Sequence, residues 1–184
     1  MISFEELGLK SEVLGAVTDL GYKQPSEIQA KAIPLLLGGN RDFVGLAQTG
    51  TGKTASFGLP LASLLDFSSK SIQALIICPT RELCLQITSD IQKFTSHFSQ
   101  SKTVAIYGGA SIDTQLRELK RGAQIVVATP GRLLDFLNRK ALDFSLVRYA
   151  VLDEADEMLN MGFKEDLDQI LEYTPTTKNT WLFS

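Results

Sequence analysis

Short apolar stretches alternate with helical patterns along most of this chain. Six runs of four to six mostly apolar residues predict strands of a sheet buried on both faces. They cover residues 42–47, 74–78, 103–107, 124–128, 149–153 and 180–183. Helical spacing of apolar residues covers residues 53–65, 81–97, 112–120, 130–139 and 163–173. This alternation predicts an α/β fold, a doubly wound and mostly parallel sheet with helices on both faces.

Two further helices are predicted before the first strand. Apolar residues recur at helical spacing over residues 11–20, and a second helix follows over residues 25–37, with Ser26 as its N-cap. We therefore expect one domain over the whole chain, with these helices in residues 1–40 and the β/α core in residues 41–184.

Composition narrows the class of protein. The chain has 184 residues, 44% of them hydrophobic, without a membrane-spanning apolar run or a signal-peptide pattern at its start, so we expect a cytoplasmic protein. Cys78 and Cys84 are too few for a disulfide framework, and with His97 as the only histidine they make no zinc site. The net charge of −3 argues against nucleic-acid binding through a large basic field.

The stretch from residue 47 to residue 54 predicts a phosphate-binding loop between a strand and a helix. Gly50 and Gly52 allow positive φ angles and close approach of main-chain N–H groups to an anion. Lys53 adds a charge for the β and γ phosphates, and Thr54 adds a hydroxyl for Mg²⁺. Ala47 stands where the general motif has glycine, so its φ must be negative. The loop predicts nucleotide binding but names no further substrate.

Carboxylates follow the fifth predicted strand. A carboxylate at the tip of a buried strand is costly unless it is paired or bound to a metal. Asp153 is therefore expected to hold Mg²⁺, directly or through water, and Glu154 to orient and deprotonate an attacking water. Acids that satisfy a helix N-terminus would explain Asp156, but not Asp153 and Glu154 together downstream of a phosphate loop.

Three other strands are followed by loops that combine hydroxyls, glycines and arginines. They are Pro79-Thr80-Arg81, Gly108-Gly109 and Thr129-Pro130-Gly131-Arg132. Each alone is typical of an ordinary helix start. Because the carboxyl ends of parallel strands share one edge of a sheet, the three together favour a groove that binds a phosphate backbone.

In combination these motifs resemble the first RecA-like domain of the DEAD-box RNA helicases, over essentially the whole chain. Residues 21–29 are similar to the Q motif of that family, with Phe4 as its upstream aromatic. Residues 47–54 match motif I, which accounts for Ala47. The three loops above match motif Ia, the GG motif and motif Ib, and residues 153–156 match motif II. Cys84 departs from the alanine common after motif Ia, which is a small change.

The resemblance implies ATP and Mg²⁺ as cofactors and RNA as the partner, bound as a single strand or duplex through its sugar-phosphate backbone. Gln29 is implied to read the adenine edge, with Tyr22 and Phe4 packed on the base. The implied cofactor-binding residues are Phe4, Tyr22, Gln24, Gln29, Thr49, Gly50, Thr51, Gly52, Lys53 and Thr54, with Thr54 and Asp153 as metal ligands and Lys53, Asp153 and Glu154 as catalytic residues. The implied RNA-binding residues are Pro79, Thr80, Arg81, Gly108, Gly109, Thr129, Gly131 and Arg132.

Asp156 and Ser184 are implied to couple this domain to a second one. The chain ends at Ser184, the first residue of the Ser-Ala-Thr motif of the family, so the second RecA-like domain and its arginine finger are expected outside this sequence. We expect a monomer without membrane contacts that binds nucleotide but turns ATP over very slowly alone.

The sequence favours two alternative functions less than that of an RNA helicase domain. A non-catalytic nucleotide-binding or RNA-binding adaptor with this fold does not need Lys53, Thr54, Asp153 and Glu154 together. A DNA helicase is disfavoured by Gln29 and by the Asp-Glu-Ala-Asp tetrapeptide. The RNA target cannot be named, since contacts to a backbone contain no base code.

Overall fold

A parallel six-stranded sheet forms the centre of the computed structural model, which describes residues 2–39 and 41–184. The strands are β1 (Phe43–Gly45), β2 (Ala74–Ile77), β3 (Thr103–Ile106), β4 (Ile125–Ala128), β5 (Tyr149–Asp153) and β6 (Asn179–Phe183). Their order across the sheet is β1-β6-β5-β2-β4-β3, and every neighbouring pair is parallel. The predicted fold class is confirmed.

Eight α-helices surround the sheet within the described residues. They are α1 (Ser11–Asp19), α2 (Glu27–Gly38), α3 (Lys53–Leu64), α4 (Arg81–Phe94), α5 (Ile112–Lys120), α6 (Pro130–Asn138), α7 (Ala155–Asn160) and α8 (Lys164–Glu172), after a short 3-10 helix, Glu5–Leu7. None of these helices is long and apolar enough to cross a membrane. α7 was not predicted, because six residues are too few to display a helical period.

Alternating residues of the strands fill two hydrophobic cores. Ile76, Val127 and Val151 face the core formed with α1 to α4. Ile77 and Val126 face the core formed with α5 to α8. This alternation of period two is what a parallel sheet covered on both faces requires. The two N-terminal helices thus share a core with the helix that follows the phosphate loop.

The first strand is shorter than its apolar pattern predicts. Asp42 lies outside β1, and its carboxylate accepts a hydrogen bond from the main-chain N–H of Thr180 (2.7 Å), in place of a ladder bond. Phe183 on the neighbouring strand is fully buried between the rings of Phe43 and Phe57, with centroid distances of 5.5 and 5.2 Å. These rings join β1, β6 and α3, and so fix both ends of the phosphate loop.

Candidate active site

The topology places the predicted site residues along one edge of the sheet in a definite order. Strand order puts the loop after β1 first, then Ser184 after β6, then Asp153 at the end of β5. The loops after β2, β4 and β3 follow. The acidic residues therefore stand between the phosphate loop and the loops that contain arginine, as the crevice at the carboxyl ends of such a sheet allows.

The phosphate loop has the backbone that the sequence predicts. Gly50 and Gly52 have φ angles of 79° and 89°, in the region that favours glycine. Ala47 is not among the residues with positive φ, so it satisfies the condition for replacing glycine. The Thr51 hydroxyl donates to the carbonyl of Gln48 at 2.6 Å and closes the loop. Helix α3 begins directly after Gly52, so the main-chain N–H groups of its first turn lie beside the phosphate loop.

A cavity of about 340 Å³ lies at the start of α3. Its lining combines the phosphate loop, the acids after β5, an aromatic residue and one face of α4: Tyr22, Thr49, Gly50, Gly52, Lys53, Thr54, Ala55, Leu83, Gln86, Asp90, Phe94, Asp153 and Glu154. The structure thus brings together Lys53, Thr54 and both acids, which are about a hundred residues apart in the chain. The contribution of α4 was not predicted, since its polar residues are typical of an exposed helix face.

Asp153 is only 3% exposed, and its environment is unusual for a carboxylate. Burial raises its pKa to about 6, although the Lys53 charge lowers it; the Glu154 charge raises it further. The main-chain N–H of Glu154 donates to its Oδ1 at 3.1 Å. A cation close to this buried carboxylate would stabilise its negative charge.

Asp153 and Thr54 offer hard oxygen ligands on one cavity, which fits Mg²⁺. Among residues 2–39 and 41–184 there is no group of three or more His, Cys, Asp or Glu side chains able to hold a metal ion alone. Mg²⁺ is commonly held by one or two carboxylates together with water and substrate phosphates. The residues present therefore fit an ion that arrives with a nucleotide.

Glu154 has a φ angle of 52°, in the left-handed region that residues other than glycine rarely adopt. Such a conformation costs on the order of 1–3 kcal/mol and is found preferentially at functional sites. Glu154 is the N-cap residue of α7, and its carbonyl accepts from the N–H of Met158 at 3.1 Å. The strained turn keeps Glu154 on the lining of the cavity.

Gln29 connects α2 to the phosphate loop. It is 6% exposed; its Oε1 accepts from the N–H of Ser26 (3.0 Å), and its Nε2 donates to the carbonyl of Gly52 (3.2 Å). A β-carbon at position 52 would displace this amide, and the φ angle of 89° there favours glycine in any case. The second amide hydrogen of Gln29 has no protein partner among the described residues, and Gln29 itself is not among the residues that line the cavity. Its role in reading adenine stays a prediction.

The other predicted base contacts differ in exposure. Tyr22 is 40% exposed and lines the cavity, whereas Phe4 is buried beneath it, with ring centroids 6.2 Å apart. Gln24 is exposed and lies outside the cavity lining. The structure therefore favours Tyr22 as the aromatic surface for a base, with Phe4 as its support.

The three arginine and glycine loops contact one another. The Arg81 guanidinium lies over the ring of Tyr107, 5.1 Å from its centroid. A β-carbon at Gly109 would lie 3.5 Å from Arg81 Nη1. Arg132 Nη1 donates to the carbonyl of Ala110 at 3.0 Å. The prediction that these loops share one edge is confirmed; their role in RNA binding stays a prediction.

The remaining residues of these loops serve as helix starts or leave the backbone open. The Thr80 hydroxyl accepts from the N–H of Leu83 (3.3 Å) and caps α4. Thr129 precedes α6 but makes no side-chain capping bond. Gly108, Gly109 and Gly131 are exposed, and Pro79 is buried.

Asp156 and Ser184 also come together. The neighbouring Ser184 side chain is the first cause that holds the pKa of Asp156 below its usual value. Ser184 in turn donates its main-chain N–H to the carbonyl of Gly45 at the end of β1 (3.0 Å), and its carbonyl accepts from the N–H of Ala47 in the phosphate loop (2.9 Å). The pair thus links motif II to the start of the phosphate loop, and its coupling role stays a prediction.

One residue that the sequence analysis missed stands behind the arginine loops. Gln115 of α5 is 4% exposed and hydrogen-bonds the ends of two of these loops. Its position was visible in the pattern, because it lies on the apolar stripe formed by Ile112, Leu116 and Leu119. A glutamine on such a stripe signals a buried amide with partners.

Comparison with known proteins agrees with this geometry. The family model described as DEAD/DEAH box helicase matches residues 26–184. The chain is 53% identical over 182 residues to "ATP-dependent RNA helicase DeaD" of Escherichia coli strain K12, covering 99% of this chain and 29% of the relative. It is 48% identical over 184 residues to "ATP-dependent RNA helicase CshA" of Listeria monocytogenes, covering 100% of this chain and 35% of the relative.

A solved structure also resembles this chain over its whole length. The crystal structure of a DEAD box protein from the hyperthermophile Methanococcus jannaschii superposes with a TM-score of 0.95 at 44% sequence identity. The match covers 100% of this chain and 50% of that one. The chain thus spans about a third of the curated relatives and half of the solved protein.

Proposed function

Because this chain belongs to the DEAD/DEAH box helicase family, we propose that it is the ATP-binding and ATP-hydrolysing domain of an ATP-dependent RNA helicase. One observation supports this most strongly. Lys53, Thr54, Asp153 and Glu154 line a single cavity at the N-terminus of α3, next to the loops that contain arginine. A protein that only bound a nucleotide would not need both carboxylates at that place.

Nucleotide binding uses the start of α3 and the first two helices. The N–H groups of the loop and the Lys53 ammonium group bind the phosphates. Tyr22 packs on the adenine, and the free amide hydrogen of Gln29 bonds its edge. Since Gln29 also bonds Gly52, base recognition and the shape of the phosphate loop are linked.

Hydrolysis uses the two acids after β5. Asp153 and Thr54 hold Mg²⁺, which supplies charge neutralisation at the phosphates when it is bound. Glu154 orients the attacking water and accepts its proton, because its carboxylate lies on the same cavity in a fixed turn. A second RecA-like domain supplies arginines to the open side of the phosphates, so that this chain alone turns ATP over very slowly.

RNA binds along the other half of the same edge. Arg81, Arg132 and the exposed backbone at Gly108, Gly109 and Gly131 contact phosphates and sugars, with Thr80 and Thr129 beside them. The chain has a net charge of −3, so this binding is weak, falls with salt and hardly distinguishes sequences.

Asp156 and Ser184 transmit the state of the ATP site toward the second domain. We place this monomeric domain in the cytoplasm.

Calorimetry with ADP and GDP tests the nucleotide assignment. The two ligands share ribose and phosphates, so a difference in affinity reports on the base alone. We expect ADP to bind at least about tenfold more tightly than GDP, because a buried amide rejects a base with reversed donors and acceptors. Equal affinities would show that the protein does not select adenine.

A further inference from the structure

A single buried glutamine lies at the centre of the three loops assigned to RNA. Gln115 is 4% exposed on α5, where its neighbours on the same stripe are the apolar side chains of Ile112 and Leu116. A buried amide destabilises a protein unless its donors and acceptor are bonded. The partners of Gln115 therefore indicate why a polar residue stands there.

Both ends of the Gln115 amide are bonded to a loop at the edge of the sheet. Its Nε2 donates to the carbonyl of Tyr107, the residue after β3, at 3.0 Å. Its Oε1 accepts from Arg132 Nη1, of the loop after β4, at 3.4 Å. The same Nη1 donates to the carbonyl of Ala110 at 3.0 Å.

The contact with Tyr107 extends to the loop after β2. The ring of Tyr107 lies under the Arg81 guanidinium at 5.1 Å, so fixing the carbonyl of Tyr107 also fixes the surface on which Arg81 rests. Between Tyr107 and Ala110 the chain contains only Gly108 and Gly109, which leave its path weakly determined by local preference. A tie from outside the loop is required to hold it.

We propose that Gln115 is a positioning residue for RNA binding, which holds Arg81 and Arg132 in register with successive phosphates. The inference rests on the proposed function, since it assigns these arginines to RNA. Gln115 itself does not touch the RNA. It acts through the carbonyl of Tyr107 and through the guanidinium of Arg132.

A second buried glutamine provides a matched control. Gln124 is 3% exposed; its Nε2 donates to the carbonyls of Phe67 (3.4 Å) and Ser69, and its Oε1 accepts from the N–H of Lys102 (2.8 Å). It precedes β4, at the opposite end of the sheet from the arginine loops. Methionine has a similar length and no strong donor or acceptor, so Gln115→Met removes two amide bonds at one end of the sheet and Gln124→Met removes three at the other.

The first measurement is the affinity of this chain for a single-stranded oligoribonucleotide over a range of salt concentrations. We expect Gln115→Met to lose about tenfold in affinity and to reduce the salt slope by about one, because Arg81 and Arg132 each lose a support while Arg132 keeps its bond to the carbonyl of Ala110. ADP affinity should stay at the parent value. Gln124→Met should lower the melting temperature similarly but leave the RNA affinity and salt slope unchanged.

The second measurement does not need RNA. From the geometry we expect the ring of Tyr107 to shift the Nε–Hε NMR signal of Arg81, and the bonds of Arg132 to shift the signal of that side chain. We expect both signals to move toward free-arginine positions in Gln115→Met and to stay in place in Gln124→Met. This result distinguishes the two proposals: if the parent chain binds no RNA, the proposed function fails, while the arginine signals still test Gln115.

A double-mutant comparison completes the test. In an Arg81→Ala, Arg132→Ala background, Gln115→Met should cause no further loss of RNA affinity, since residues that act through one another are not additive. Three results would each overturn the assignment. They are unmoved arginine signals in Gln115→Met, an equal loss of RNA affinity in Gln124→Met, and a full tenfold further loss when Gln115→Met is added to the Arg81→Ala, Arg132→Ala variant.

Discussion

The side-chain amide of Gln29 donates a hydrogen bond to the main-chain carbonyl of Gly52 at 3.2 Å. The contact joins two segments that lie 23 residues apart, the start of α2 and the last residue of the phosphate loop. Because Gln29 also caps α2 through Ser26, the loop is held by an element outside its own strand and helix. The contact thus supports the predicted phosphate loop from outside its own strand and helix.

Gln29→Glu should weaken ADP binding by about tenfold or more. A carboxylate cannot donate to the carbonyl of Gly52, and a buried charge near the phosphates is unfavourable. Calorimetry measures the effect. Gln169→Glu adds the same charge at an exposed position on α8, away from the cavity, and should keep the parent affinity within about twofold. Equal ADP affinities of the two variants would contradict the role given to Gln29.

Asp153→Asn should make the nucleotide-free chain more stable at pH 7.5 by about 2–3 kcal/mol. The pKa of Asp153 is about 6 in the folded chain against a usual value of 3.8, so the folded state binds more protons between these values. The contribution of protonated Asp153 to the free energy of unfolding is therefore fully present below about pH 4, and it is lost as the pH rises through about 6. Asparagine does not titrate, and it keeps an oxygen for the N–H of Glu154.

Urea unfolding at pH 4 and pH 7.5 checks this sign. The stability difference between Asp153→Asn and the parent should nearly vanish at the lower pH. Asp143→Asn, at an exposed position, should bring no gain at pH 7.5, since hydrogen bonds with Ser145 lower the pKa of Asp143. The Asp153 variant should also lose the effect of Mg²⁺ on ADP affinity. A variant less stable than the parent at pH 7.5 would refute the account of Asp153.

The strands and the phosphate loop could be predicted from the sequence because their signals are local. Apolar runs mark β2 to β6, and Gly50 and Gly52 mark a loop with positive φ angles, which the structure confirms. The bond that Gln29 donates to Gly52 and the bond that Arg132 donates to Gln115 could not be predicted. They join positions brought together only by the packing of helices on the sheet, and no local pattern specifies them.

The left-handed turn at Glu154 was also invisible in the sequence. Glutamate has no preference for a φ angle of 52°, so this conformation is imposed by β5 and α7 on either side. The sequence indicated that Glu154 follows a buried strand and that its carboxylate could deprotonate an attacking water. The structure adds the direction in which the chain presents it.

Glu154→Gln should abolish ATP hydrolysis while leaving ATP binding within about twofold of the parent. Glutamine keeps the shape of the side chain but cannot accept a proton from water. The assay is RNA-stimulated ATP turnover in a protein that joins this domain to a second RecA-like domain. Glu157→Gln, at the exposed position on α7 directly after motif II, is the matched control and should turn over at the parent rate. Parent-like turnover by Glu154→Gln would show that the base lies elsewhere.

The central claim is that ATP binds with its phosphates on Lys53 at the start of α3. Its most direct test is calorimetric titration of ATP with Mg²⁺ into the 184-residue chain carrying Lys53→Ala, beside Lys120→Ala at an exposed position on α5. We predict at least about a tenfold loss of affinity for Lys53→Ala, because the charge facing the β and γ phosphates is removed. Lys120→Ala should bind as the parent does. Parent-like ATP affinity in Lys53→Ala would contradict the account.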